Sequence, residues 1–320
     1  MKRRASSIER SGGRAAGLAP LLAAVLACLL AAGFAPAALG AEPGTYPLVF
    51  TDDLGRRVEV REAPARIVSI GPSNTEILFA LGAGDRVVGV DSYSDYPPEA
   101  AGLPHVGSLL SPAYDAILAL EPDVVLVATV PRDHIDRLAA LGLTVVVLAA
   151  SNLDEVYASI ERVGAIVDRR AEAAELVRNL RTRQERVAEA VASIPAAERP
   201  RVFYELWHDP IQSAGPGTFI HELIELAGGT NVAADAPAPW PQFSLEALVA
   251  RDPQVIVTSA QASYDELRRG ARRQWEGISA VRDGRIHFID ADILTRPGPR
   301  IIDGLEAMAY ALHPDRFRRE

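Results

Sequence analysis

The chain is nearly without cysteine and lysine. Its 320 residues contain one cysteine, Cys28, and one lysine, Lys2, both within the first 40 positions. Beyond residue 40 no disulfide can form, so packed cores alone must hold the fold. Local catalytic motifs are missing too. There is no Walker loop, no G-x-G-x-x-G and no G-x-S-x-G. The six histidines (105, 134, 208, 221, 287 and 313) include no i, i+4 pair, and no His-rich loop suggests a zinc carrier. Carboxylates abound, but none is marked locally as half of an acid–base pair. A catalytic role therefore rests on no motif, and an extracytoplasmic α/β enzyme is only a remote alternative.

The N-terminus is basic and then apolar. Lys2, Arg3, Arg4, Arg10 and Arg14 stand against Glu9 alone, followed by an Ala/Leu-rich run over 15–39 and the small-residue site Ala38-Leu39-Gly40. This is the pattern of a secretory signal over 1–40, with cleavage expected after Gly40. An uncleaved anchor and lipidation at Cys28 in "VLAC" are the alternatives, and all three place the remainder outside the inner membrane. Residues 1–40 hold five basic residues and one acid. Without them 28 basic residues face 41 acidic ones, a net charge of −13. So acidic a chain disfavours nucleic acid as a partner. The remaining 280 residues suit two modest domains better than one.

Periodicity predicts a hairpin over 46–60, turning at Asp53-Leu54-Gly55. Buried strands follow at 65–70 and 86–90. Between them lies a helix over 73–82, whose Ser73 and Glu76 match the S-x-x-E capping box. Helix–strand units recur at 114–128 and 134–149. Strands that are apolar throughout and alternate with helices indicate a parallel sheet covered on both faces. Residues 152–194 read as continuously helical. Their charged stretch, 168–191, would span about 36 Å and act as a strut between lobes. Alternation then resumes at 201–206, 218–229, 243–259 and 284–290.

The halves echo one another: "DAILALEPDVVLV" (115–127) parallels "EALVARDPQVIV" (246–257), and "EILFALG" (76–82) parallels "ELIELAG" (222–228). Aligning Pro122 with Pro253 sets Asp115 opposite Glu246. The expected architecture is α/β, in two lobes of mostly parallel sheet bridged by one long helix. The divisions are an N-terminal lobe at 41–167, a bridge at 168–196 and a C-terminal lobe at 197–320. The stretch "SYSDYPPEA" (92–100) ends a buried strand in two tyrosines, an aspartate and two prolines. It is either an ordinary turn or a ligand surface at a strand end.

The stretches "RIVSIGPSNTEILFALGAGDRVVGVDSYSDYPPEA", "PWPQFSLEALVARDPQVIV" (239–257) and "RPGPRI" (296–301) resemble the periplasmic cobalamin-binding proteins of ABC importers. The likeness runs over roughly 44–315. The general strand–helix pattern is shared with haem and siderophore carriers of the same superfamily. The resemblance implies two α/β lobes with the ligand between them, a monomer, and no chemistry, cofactor or resident metal. It implies delivery to an ABC permease–ATPase complex in the inner membrane.

Tyr93 then matches a cleft tyrosine touching the corrin ring, and Trp240 a second cleft wall. Asp292 and Arg296 match cleft residues, while Tyr204, Trp207 and His208 fall on an aromatic cleft segment. A corrin is a flat apolar face rimmed by amides, which aromatic walls and polar side chains suit. Plainer roles exist: Trp240 packed on its own lobe, and Asp292–Arg296 an ordinary ion pair. Leu109, Thr129 or Val130, and Ile293 replace aromatics of the family. These losses keep haem and ferric siderophore open as ligands, with Tyr93 or His208 available to a haem iron. Asp115 and Glu246 match the acids that pair with permease arginines, and the plainer role is stabilising a helix N-terminus.

Overall fold

The computed structural model describes residues 45–317. The expected signal segment and Cys28 lie outside the described residues. The hairpin forms as anticipated: β1 (Leu48–Thr51) pairs antiparallel with β2 (Arg57–Val60). Asp52, beside the turn, accepts from the Arg56 guanidinium at 2.6 Å and from the Val147 N–H at 3.2 Å, tying the hairpin to the first sheet.

That sheet contains β3 (Ile67–Ile70), β4 (Val87–Val90), β7 (Val124–Val127) and β8 (Val145–Val147), all parallel, in spatial order β4-β3-β7-β8. A two-residue ladder, β5 (Gly107–Ser108) with β6 (Ser111–Pro112), precedes the third strand. Helices α1 (Pro72–Ala80), α2 (Tyr114–Ala119) and α3 (Arg132–Ala140) make the connections.

The second sheet repeats the scheme. Its strands β9 (Arg201–Glu205), β12 (Thr230–Asn231), β13 (Val255–Thr258) and β14 (Ile286–Phe288) run parallel in the order β12-β9-β13-β14. Both sheets therefore have the order second-first-third-fourth, so the echo between the halves is an echo of topology. A short ladder of β10 (Trp207–His208) and β11 (Ile211–Gln212) follows β9. The helices are α6 (Phe219–Leu226), α7 (Leu245–Arg251), α8 (Gln261–Arg268), α9 (Ser279–Arg282), α10 (Ala291–Thr295) and α11 (Ile301–Leu312).

Two expectations are corrected. The helix over 152–194 is two: α4 (Leu153–Ile166) and α5 (Arg170–Val191, 22 residues). Asp168 takes a left-handed φ of 54° between them, a conformation Asp tolerates better than most residues. The chain reverses there. A Cβ on Gly164 would lie 2.4 Å from the Ala173 Cβ, and the Tyr157 hydroxyl donates to Gln184 at 2.7 Å. The helical hydrophobic period survives the turn, so periodicity alone could not reveal it. The capping box also fails. Gly71 is the N-cap and Pro72 opens α1, so Ser73 and Glu76 both lie inside the helix.

One core runs through both halves. Leu78, Leu126 and Val146 of the first share it with Tyr157, Val177 and Leu180 of α4 and α5, and with Tyr204, Ile302 and Leu305 of the second. The outer faces of the two sheets have separate clusters, around Val125 and Ile135 in one and Phe203, Ile256 and Trp275 in the other. A continuous core and an unbroken α5 resist hinge bending. Small-angle scattering profiles with and without ligand are expected to superimpose, and a marked contraction on binding would contradict this.

Candidate functional site

The site begins with an aspartate that the sequence did not single out. Asp91 follows β4 and is fully buried. Its carboxylate accepts from the Gly71 N–H at 3.2 Å, the Tyr93 N–H at 3.3 Å and the Ser94 hydroxyl. Ser94 in turn lies 2.9 Å from the Thr75 hydroxyl of α1. The "SYSDYPP" loop is thus pinned from below, which leaves Tyr93 61% and Tyr96 43% exposed. An aspartate directly after a buried strand was the available signal.

A cavity of about 440 Å³ opens between the two halves. Tyr93, Leu109 and Thr129 line it from the first, and Phe219, Arg296 and Pro297 from the second. Its size suits a small-molecule site, and its lining is mainly apolar with a few polar groups. A larger hollow of about 580 Å³ lies between α5 and α11, where Arg183 pairs with Asp303 and Glu306 at 2.6 Å. Ile293 lines that hollow rather than the cleft.

Beside the cavity the halves are joined by charge. Arg296 reaches Asp95 at 2.7 Å and Asp292 at 2.8 Å, with Glu76 at 3.7 Å. Arg300 donates twice to Glu76, at 2.6 and 3.0 Å, and its guanidinium lies 3.8 Å from the centre of the Tyr96 ring. The Arg296 hydrogen bond holds the Asp95 carboxyl below the usual range. Burial pushes Glu76 and Asp292 up, against the pull of their arginines. Glu76 and Arg300 escaped sequence reasoning because Glu76 read as a cap. A carboxylate inside an apolar helix, far from any cation in sequence, was the clue to a distant partner.

The remaining expected residues divide. Trp240 sits on a loop fixed by backbone bonds from Gly215 to Pro239 at 2.8 Å and from Ser213 to Pro241 at 3.0 Å, yet the residue is 46% exposed. Trp207, 55% exposed, donates to the Asp209 carbonyl at 2.9 Å, and its ring stacks on His208 with centroids 5.7 Å apart. Gln212 pairs with Trp207 across the ladder and donates to the Trp240 carbonyl at 3.5 Å, which ties the Trp240 loop to that ladder. Neither lines the 440 Å³ cavity.

Tyr204 is a correction. It is 1% exposed, within a strand whose interior is buried on both faces, and its hydroxyl donates to Ser259 at 2.9 Å. It is a core residue and does not line the 440 Å³ cavity. Among the described residues, no group of three or more His, Cys, Asp or Glu side chains is placed to hold a metal ion.

Asp115 and Glu246 lie exposed in the first turns of α2 and α7, the helices that lead into the third strand of each sheet. The Ser244 hydroxyl caps α7, accepting from the Ala247 N–H at 3.1 Å. The Glu246 carboxyl is held below its ordinary value, chiefly by its own backbone N–H and also by Ser244.

The sequence profile of the family described as periplasmic binding protein matches residues 67–293. The chain belongs to the periplasmic binding protein family. Among curated relatives of this periplasmic binding protein is an uncharacterized ABC transporter substrate-binding lipoprotein of Bacillus subtilis. The two are 35% identical over 281 residues, 85% of this chain and 88% of that one. The solved periplasmic vitamin B12 binding protein of Vibrio cholerae superposes with a TM-score of 0.69 at 31% identity, covering 80% of this chain and 99% of the other. A periplasmic heme binding protein from Pseudomonas aeruginosa superposes equally well, at 0.69 with 29% identity, over 78% and 93% of the two chains.

Proposed function

We propose that this periplasmic binding protein captures cobalamin or a related corrinoid between its two halves and delivers it to an ABC permease–ATPase, without catalysing a reaction. The observation that carries the reading is the interlobe cavity. It sets aromatic and aliphatic walls (Tyr93, Leu109, Phe219) beside polar groups able to bond amides (Thr129, Thr295, Arg296). A corrin ring needs that combination: dispersion and burial for its face, and donors and acceptors for its rim. The likeness to the Vibrio cholerae protein supports it. A periplasmic location follows from the same reading, with the chain either free after cleavage or held by an N-terminal anchor or a lipid on Cys28. Haem is the second reading, favoured by exposed Tyr93 in the cleft and by the likeness to the Pseudomonas aeruginosa protein.

Absorbance titration decides between them. A perturbed corrin spectrum on adding cyanocobalamin supports the proposal. A Soret band with haemin and no response to cobalamin transfers the function to haem. No response to either removes both.

In this reading the macrocycle extends beyond the 440 Å³ cavity, and Trp240, which does not line that cavity, serves as a second wall. Trp240→Ala is expected to weaken cobalamin binding by about tenfold or more, on the scale of one lost aromatic stacking contact. The melting temperature should barely move, because the ring is half exposed. Unchanged affinity would take Trp240 out of the site.

A further inference from the structure

Arg296 is the single charged side chain among those lining the cavity, and its charge is already spent. One terminal nitrogen is bonded to Asp95 at 2.7 Å and lies 3.7 Å from Glu76; the other is 2.8 Å from Asp292. Arg300 cannot relieve it, being held by both oxygens of Glu76 and covered by Tyr96. Three carboxyl groups, Glu76, Asp95 and Asp292, thus face two guanidiniums, so acids outnumber cations in the cluster. Asp290 adds a further acid, accepting from the Asp292 N–H at 2.9 Å. What this corner of the cleft offers a ligand is therefore a mixed array: residual N–H donors of Arg296 beside carboxylate oxygens that want donors.

We propose that Asp95, with Glu76 and Asp292, sets the ligand charge this cleft accepts, selecting a neutral amide-rimmed macrocycle over one bearing carboxylates. This rests on the function proposed above and makes it narrower. A primary amide has both an acceptor oxygen and two N–H donors, so it can bond the guanidinium and a carboxylate together. A ligand carboxylate has acceptors only. To reach Arg296 it must displace Asp95 or Asp292, or lie against them uncompensated, and like charges set together at an interface are strongly unfavourable. Asp95 is the adjustable member. It comes from the tyrosine loop of one half, bonds an arginine of the other and has its side chain 62% exposed, whereas Glu76 is 2% exposed and tied to Arg300.

The test uses ligands that differ in charge and little else. Cobalamin is compared with its b-, d- and e-monocarboxylic acids, each with one rim amide hydrolysed, by tryptophan-fluorescence titration at neutral pH. At least one acid is expected to bind about tenfold more weakly than cobalamin, on the scale of one uncompensated like charge. Asp95→Asn should shrink that ratio several-fold, as should high salt. Asp292→Asn is the second variant, and melting temperatures check that both fold. The proposal is overturned if all three acids match cobalamin, or if neither variant changes the ratio. Should cobalamin not bind while haemin does, the corrinoid reading fails. The charge inference is then read from haemin against its dimethyl ester: a preferred ester keeps it, and a preferred free acid overturns it. Binding of neither macrocycle ends both.

Discussion

Asp115→Ala combined with Glu246→Ala is expected to abolish transport of the ligand while its affinity for the isolated protein stays as it was. The two acids are exposed, lie in the first turns of equivalent helices and form no ion pair among the described residues. The sheets that follow those helices have the same strand order, so the acids are related by the internal repeat. A permease of two like subunits would present one basic patch to each half, which gives a reason for one acid per half. Complementary charges of this kind raise association rates and fix orientation, and they weaken with salt. Asp115 is one methylene shorter than Glu246, so its reach is the weaker half of the pairing. Uptake assays with the double variant, alongside binding to reconstituted permease at two salt concentrations, provide the check. Normal transport would leave the acids as helix-terminus residues, each stabilising the positive end of its helix by about 0.3–1 kcal/mol.

The second large effect concerns the junction between the halves. Arg300→Met is expected to destabilise the protein by about 2–4 kcal/mol, because it strands a buried carboxylate; removing one partner of a buried pair generally costs more than replacing both. Glu76→Gln with Arg300→Met should therefore recover part of the loss. Thermal unfolding measures it, at roughly 2–4 °C per kcal/mol for a chain of this size.

The pH dependence has a definite sign. Burial raises the Glu76 carboxyl above its ordinary value, so folding disfavours the charged form. Arg300→Met removes a group that holds this carboxyl down, so its value rises further. The deficit should be largest where Glu76 is charged in both proteins and shrink as pH falls through the variant's own, higher value, where the protonated acid no longer needs a cation. A variant as stable as the parent at neutral pH would mean that Glu76 is already neutral in the folded protein.

These residues mark where sequence reasoning stopped. The strands were legible because each is an unbroken apolar run, and such runs occur where both faces of a sheet are covered. The repeat was legible because each half spells helix, proline and strand in the same order. The family likeness implies that Tyr93 and Trp240 are cleft walls; the structure leaves both exposed and puts Tyr93, but not Trp240, on the cavity lining. Other features depended on contacts that periodicity does not encode. Tyr204 looked like its exposed neighbour Trp207, yet it falls inside a strand covered on both faces. The turn at Asp168 kept the helical period while reversing the chain.

By itself, then, the sequence determined two repeated α/β halves, an acidic chain and the loops that carry the aromatics, since hydrophobic period, composition and turn residues are local properties. The tertiary structure decided that Glu76 is half of an ion pair rather than a cap, that its partner stands 224 residues away, and that Arg296 meets the cleft already bonded to acids from both halves. Those are long-range meetings of charge. They exist only once the core shared by both lobes has brought α1, the tyrosine loop and the Arg296–Arg300 segment to the same side of the cleft.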